Sequence, residues 1–82
     1  MHYVYIIRCS DNTYYTGYTT DIERRVREHN TGKGAKYTRG RTPVKLVYSE
    51  EKESQSRAMQ REYEIKQLDR TEKETLVKGE DG

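Results

Sequence analysis

The sequence predicts an α/β fold of the α+β type, a small three-stranded antiparallel sheet with flanking helices in the order β-β-α-β-α-α. Two β-rich runs face each other across turn residues, and two Thr-x-x-Glu signatures announce helix starts. A chain of 82 residues suffices for one domain with a thin core.

The elements follow in order. Residues 2–9 (HYVYIIRC) and 13–20 (TYYTGYTT) are rich in β-formers, and Ser10-Asp11-Asn12 between them makes a hairpin. Thr20-x-x-Glu23 opens a helix to about Asn30. Residues 31–43 carry three glycines, the only proline and four basic side chains, and read as a loop. Residues 44–49 (VKLVYS) form the third strand. A long helix runs from about Ser54 to Leu68, and Thr71-x-x-Glu74 opens a last one to about Lys78. The domain is residues 1–78, and residues 79–82 form a frayed tail.

Composition narrows the class. Apolar residues make up 30% and charged residues 37%, and all eight aromatics are tyrosine. Each tyrosine brings a hydroxyl that needs a partner when buried. Cys9 is the single cysteine, so no internal disulfide or zinc cluster forms, as suits a reducing compartment. No apolar run approaches the roughly 20 residues that cross a bilayer. The cytoplasm is the expected location, with no membrane partner. Residues 1–48 hold nine Lys/Arg against four Asp/Glu, and residues 49–82 hold seven against ten. One basic half on a chain of net charge +2 suggests a surface for a polyanion.

Both long helices turn polar groups inward. On the first, Ile22 and Val26 define the apolar stripe, His29 falls between them, and Arg25 borders it one turn earlier. Arg24 and Arg27 point away. On the second, Ala58, Met59, Tyr63 and Ile65 form the predicted buried arc, with Glu62 inside it. A buried carboxylate either pairs with a cation, Arg25 or a lysine, or holds a metal ion.

The hairpin Tyr3-Val4-Tyr5 … Tyr15-Thr16-Gly17 resembles the paired motif that names the GIY-YIG nuclease family. Tyr5 matches the tyrosine of the first motif; Tyr15 and Gly17 match the first and third positions of the second. Arg25 and His29 match the family's arginine and the histidine or tyrosine four residues on, and Glu62 fits its metal-binding glutamate. The resemblance covers Tyr3 to about Leu76 and is nearest to small stand-alone single-domain bacterial members. It departs at Tyr3-Val4 and Thr16. It departs also at Tyr18, where some members carry a phosphate-contacting lysine, and in residues 69–82, which hold no asparagine.

The resemblance implies a metal-dependent endonuclease acting on DNA, with RNA left open, and a role in DNA repair or recombination. Glu62 holds one Mg²⁺ or Mn²⁺ ion, because hard cations prefer carboxylate and keep most of their waters. Arg25 places a forked, permanent charge beside the scissile phosphate. Tyr5 or Tyr15 is the general base or positions the water, and His29 hydrogen-bonds a tyrosine hydroxyl or relays its proton. A tyrosine ionised near pH 7 sits about three units below its reference value, a cost of roughly 4 kcal/mol. Both phenols must share one sheet face, which requires a three-residue Ser10-Asp11-Asn12 loop pairing Tyr5 with Gly17. Lys33, Lys36, Arg39 and Arg41 are the candidate backbone grip, with Gly34 and Gly40 to let the main chain approach a phosphate and Tyr37 to stack on a base. Phosphate contacts carry no base readout, so recognition of shape over sequence is expected. So small a domain leaves room for a homodimer or partner protein that adds specificity. The alternatives are a non-catalytic nucleic-acid-binding module and a partner-docking subunit.

Overall fold

The computed structural model describes residues 1–79. It contains β1 (His2–Arg8), β2 (Tyr14–Thr19), α1 (Ile22–Asn30), a 3₁₀ turn (Lys36–Thr38), β3 (Lys45–Lys52), α2 (Gln55–Lys66) and α3 (Arg70–Lys78). The expected order holds, with three antiparallel strands arranged β2-β1-β3. Because β1 is central, both of its faces are covered, and Val4, Tyr5, Ile6 and Ile7 are all buried. That explains an apolar run where an exposed strand would alternate.

Alternation along β1 splits the core in two. Val4 and Ile6 pack with Ala58 and Ile65 of α2, joined by Leu76 and Val77 of α3. Tyr5, Ile7 and Cys9 pack on the other face with Val44, Tyr15 and Val26 of α1. Each fully buried Ile or Val contributes about 1.5–3 kcal/mol. Cys9 is therefore core filling, and burial raises its thiol pKa.

Several boundaries differ from the sequence expectation. The first helix is capped by Asp21, whose carboxylate accepts from the Arg24 amide at 3.1 Å, so Thr20-x-x-Glu23 is not its box. The adjacent Asp is the stronger acceptor, and Thr19 holds it by accepting from the Asp21 amide at 3.1 Å. The last helix opens two residues early, on a reciprocal Asp69/Glu72 capping box in place of Thr71/Glu74. The second is capped by Ser54 as expected but ends at Lys66, not Leu68. The third strand continues past Ser49 through Glu50-Glu51-Lys52. Its charges are tolerated because Glu50 bonds Tyr48 and Arg61 and pairs with Lys52 at 2.9 Å, tying the edge strand to α2. Gly79 caps α3 at φ 69°, and the remainder of the predicted tail, 80–82, lies outside the described residues.

The buried arc of α2 is also rotated from its predicted centre. Met59 and Tyr63 are exposed, at 45% and 66%. Ala58 and Ile65, seven residues apart, set a narrow stripe, and Glu62 lies on the line between them.

Candidate active site

Hairpin geometry brings the phenols together. Cys9 and Thr13 close a three-residue loop through Cys9 N–H to Thr13 O at 2.8 Å, with Asn12 at φ 70°. Asn accepts this left-handed conformation at low cost. The resulting register places Tyr5 opposite Gly17 and Ile7 opposite Tyr15. Tyr5, Tyr15 and Gly17 therefore share the α1 face. The Tyr5 ring leans over Gly17, where a methyl group would sit 2.6 Å from its Cζ and collide with its hydroxyl. The glycine is there to make room for the phenol.

Helix α1 delivers the next two groups. His29 is fully buried, and its Nε2 lies 2.8 Å from the Tyr5 hydroxyl. Arg25 reaches the same hydroxyl with Nε at 3.4 Å and pairs through NH1 with Glu28 at 3.1 Å. On the far side of the imidazole, Nδ1 lies 2.9 Å from Thr38 Oγ1, and that hydroxyl donates to Ala35 O at 2.9 Å. The Tyr15 ring meets His29 edge-on at a centroid distance of 5.4 Å.

The electrostatics follow from burial beside a cation. Burial pushes the Tyr5 pKa up to about 12, Arg25 draws it back, and the charges of Tyr15 and Glu62 add to the rise. His29 is held below its ordinary value, first by burial and then by the Arg25 charge. Burial works against the Arg25 charge, yet its bonds to Tyr5 and Glu28 outweigh that and raise its pKa. The result is a neutral phenol and a neutral imidazole beside a permanent cation.

Glu62 enters from α2. Its side chain is only 13% exposed, and its one ion pair among the described residues is to Lys66, at 3.4 Å. It does not pair with Arg25, yet it is near enough for its charge to act on Tyr5. Among the described residues no three His, Cys, Asp or Glu side chains cluster as a metal cage. A lone, shielded carboxylate with a displaceable lysine suits a hydrated Mg²⁺ or Mn²⁺ better than zinc, which wants three or four N/S ligands.

The basic loop divides. Lys33, Lys36 and Arg39 are exposed and form no ion pair among the described residues. Tyr37 is already engaged: it stacks on Tyr15 at 5.7 Å, and Arg41 lies 4.5 Å from its ring centre. Arg41 also pairs with Asp11 of the hairpin loop. Gly34, read from sequence as room for a phosphate, packs on His29, where a methyl would lie 2.8 Å from the histidine Cα. Four contributors escaped the sequence reading. Thr38, Gly34 and Glu28 have no periodic or motif signal. Asn30 pairs with the main chain of Val44 through both amide atoms, at 2.7 and 3.3 Å, and pins the loop's end.

Comparison with known proteins adds the family. The model of the GIY-YIG catalytic domain matches residues 1–75. A UPF0213 protein of Halobacterium salinarum is 68% identical over 76 residues, covering 93% of this chain and 99% of its own. One from Staphylococcus haemolyticus is 58% identical, covering 93% of each. Among solved structures, the solution structure of a UPF0213 protein from Bacillus halodurans matches with TM-score 0.62 and 54% identity, over 99% of this chain and 86% of that one. A second solution structure, from E. faecalis, matches with TM-score 0.63 and 45% identity, over 95% of this chain and 83% of that one.

Proposed function

Because the chain belongs to the GIY-YIG catalytic domain family, we propose that it is a metal-dependent endonuclease that hydrolyses DNA phosphodiester bonds in the cytoplasm. The observation that carries this reading is the hydrogen-bonded line from Arg25 through Tyr5 to His29. It supplies a base at the end of a phenol that is itself too weakly acidic to ionise.

In this mechanism a water molecule is oriented by Tyr15, whose hydroxyl has no hydrogen bond among the described residues. As the water oxygen bonds to phosphorus, its proton passes to the Tyr5 oxygen, and the Tyr5 proton passes to Nε2 of His29. The bond from phosphorus to the leaving oxygen breaks, and that oxygen takes a proton from solvent. No phenolate accumulates, so the Tyr5 pKa of about 12 is no obstacle. The relay also removes the roughly 4 kcal/mol cost of ionising a tyrosine near pH 7. Arg25, with NH2 uncommitted among the described residues, faces the phosphoryl oxygens and offsets their growing charge. Glu62 would hold Mg²⁺ or Mn²⁺, which when bound acts as a Lewis acid toward the phosphoryl and leaving oxygens.

Lys33, Lys36 and Arg39 grip the phosphate backbone, and Arg41 steadies the loop that carries them. None of these contacts reads bases, so the enzyme selects DNA by shape, as branched intermediates of repair or recombination require. Tyr37 stacks on Tyr15 instead of waiting for a base, which leaves sequence reading still less support.

The test is incubation of the purified protein with branched, flapped, nicked and linear DNA, with Mg²⁺, Mn²⁺ or a chelator. Metal-dependent cutting that prefers a branched form, lost by a hundredfold or more in Arg25→Ala and Glu62→Ala, supports the reading. Binding without cutting would replace it with the non-catalytic module. Cutting of matched RNA in preference to DNA would overturn the substrate class.

A further inference from the structure

We infer that Thr38 is a positioning residue that locks His29 in its Nδ1–H tautomer and so leaves Nε2 free to take the Tyr5 proton. This rests on the relay proposed above and extends it to a loop residue outside the matched motif positions.

The assignment follows from counting hydrogens. A carbonyl oxygen only accepts, so the 2.9 Å contact between Thr38 Oγ1 and Ala35 O consumes the threonine's one proton. Toward the imidazole, 2.9 Å away, Oγ1 can then only accept, and Nδ1 must carry the hydrogen. A neutral imidazole has one N–H, so Nε2 is an acceptor and the Tyr5 hydroxyl, 2.8 Å from it, is the donor. Arg25 donates to the same phenol oxygen at 3.4 Å, so no hydrogen is placed twice. Every link points one way, from Arg25 to Tyr5 to His29, and from His29 to Thr38 to Ala35.

The surroundings support this assignment. Thr38 is 1% exposed and His29 0%, so solvent does not compete for either group. Gly34 closes on the ring from the same loop, where a methyl would press on the His29 Cα at 2.8 Å and on Nδ1 itself. The loop that looks like a phosphate grip therefore has an inner edge, Gly34 and Thr38, that clamps the imidazole. With the opposite tautomer, Thr38 would have to turn its hydroxyl from Ala35 O to Nδ1, and Nε2–H would meet the phenol oxygen that Arg25 already donates to.

The experiment is ¹⁵N NMR of the histidine side chains near neutral pH, paired with cleavage kinetics. The chain has only two histidines, so His2→Gln assigns the pattern of His29. The wild type should show a protonated Nδ1 and a bare Nε2. Thr38→Val, which keeps the shape and deletes the hydroxyl, should give a mixed or reversed pattern and lower kcat about a hundredfold at unchanged KM. Thr38→Ser should restore both. A wild-type His29 protonated on Nε2 would overturn the inference, as would a Val variant with unaltered pattern and rate. If the Val variant does not fold, the wild-type spectrum alone decides the tautomer. A wild type with the expected pattern and no cleavage leaves the tautomer standing and defeats the nuclease reading instead.

Discussion

The two faces of β1 are made by neighbouring residues and held together by different forces. Val4 and Ile6 look toward α2 and α3, where they pack on Ala58, Ile65, Leu76 and Val77 through contacts that need no orientation. Tyr5 looks toward α1, where the phenol ends in an imidazole and a guanidinium, with directions fixed by each proton. One face supplies cohesion, which is insensitive to small rotations. The other supplies alignment, which is not. The chain places the Arg25–Tyr5–His29 line on the face with the shorter helix and the glycine-bearing loop, while the longer helix covers the opposite side and contributes Glu62.

This contrast predicts opposite outcomes for adjacent substitutions. Tyr5→Phe keeps the ring and removes the relay. Cleavage should fall between a hundredfold and ten-thousandfold, while chemical denaturation registers a loss of only about 1 kcal/mol. Ile6→Ala should do the reverse, costing about 2–5 kcal/mol in the same denaturation assay and leaving the rate per folded molecule unchanged. Equal effects of the two on rate would erase the distinction between the faces.

A subtler case lies at Thr16, whose buried hydroxyl on the aliphatic side has no partner among the described residues. Thr16→Val should raise stability by about 1 kcal/mol by removing an unpaired polar atom at constant shape. A loss of stability would mean that this face also depends on a hydrogen bond.

The pH response sharpens the same comparison. The unfolded chain protonates His29 at its ordinary value of 6.5, whereas the folded imidazole resists until lower pH. Between those values unfolding takes up a proton. The His29 contribution to stability is complete above pH 6.5 and is lost as pH falls toward the folded value. Melting curves from pH 8 to 5 should therefore show the wild type losing more than His29→Gln. The smallest effect is expected at Lys66, an exposed partner of Glu62. Lys66→Met should tighten Mn²⁺ binding a few-fold by calorimetry, since such pairs are worth under about 1 kcal/mol. Weaker binding would assign the lysine a supporting role.

Much of this was legible before any coordinates. The requirement that Tyr5 and Tyr15 share a face selected the three-residue loop over a two-residue one, and Asn12 suits its left-handed position. Helical spacing put Arg25 and His29 on the inner side of α1. The misses have a common cause: they depend on contacts between distant segments. Met59 and Tyr63 fit an apolar arc on a wheel, but the face that α2 buries is centred on Ala58 and Ile65 and leaves them exposed. Glu28 carries no signal of its own in the sequence, and its role depends on Arg25 turning toward it. Thr38 lies in a loop without periodicity, and its role exists only because residues 35–38 fold back on His29.

The start of β2 carries a constraint of parity. Cys9 and Thr13 close the hairpin, and inward and outward places alternate strictly from that pair onward. One residue inserted between Thr13 and Tyr14 would send Tyr15 and Gly17 outward and set Thr16 opposite Tyr5, in the space below its ring. A change of length between Cys9 and Thr13 that keeps this closing pair would leave every assignment intact. Loop insertions should therefore be tolerated, and a single residue added just beyond Thr13 should silence the proposed site without touching any of its side chains.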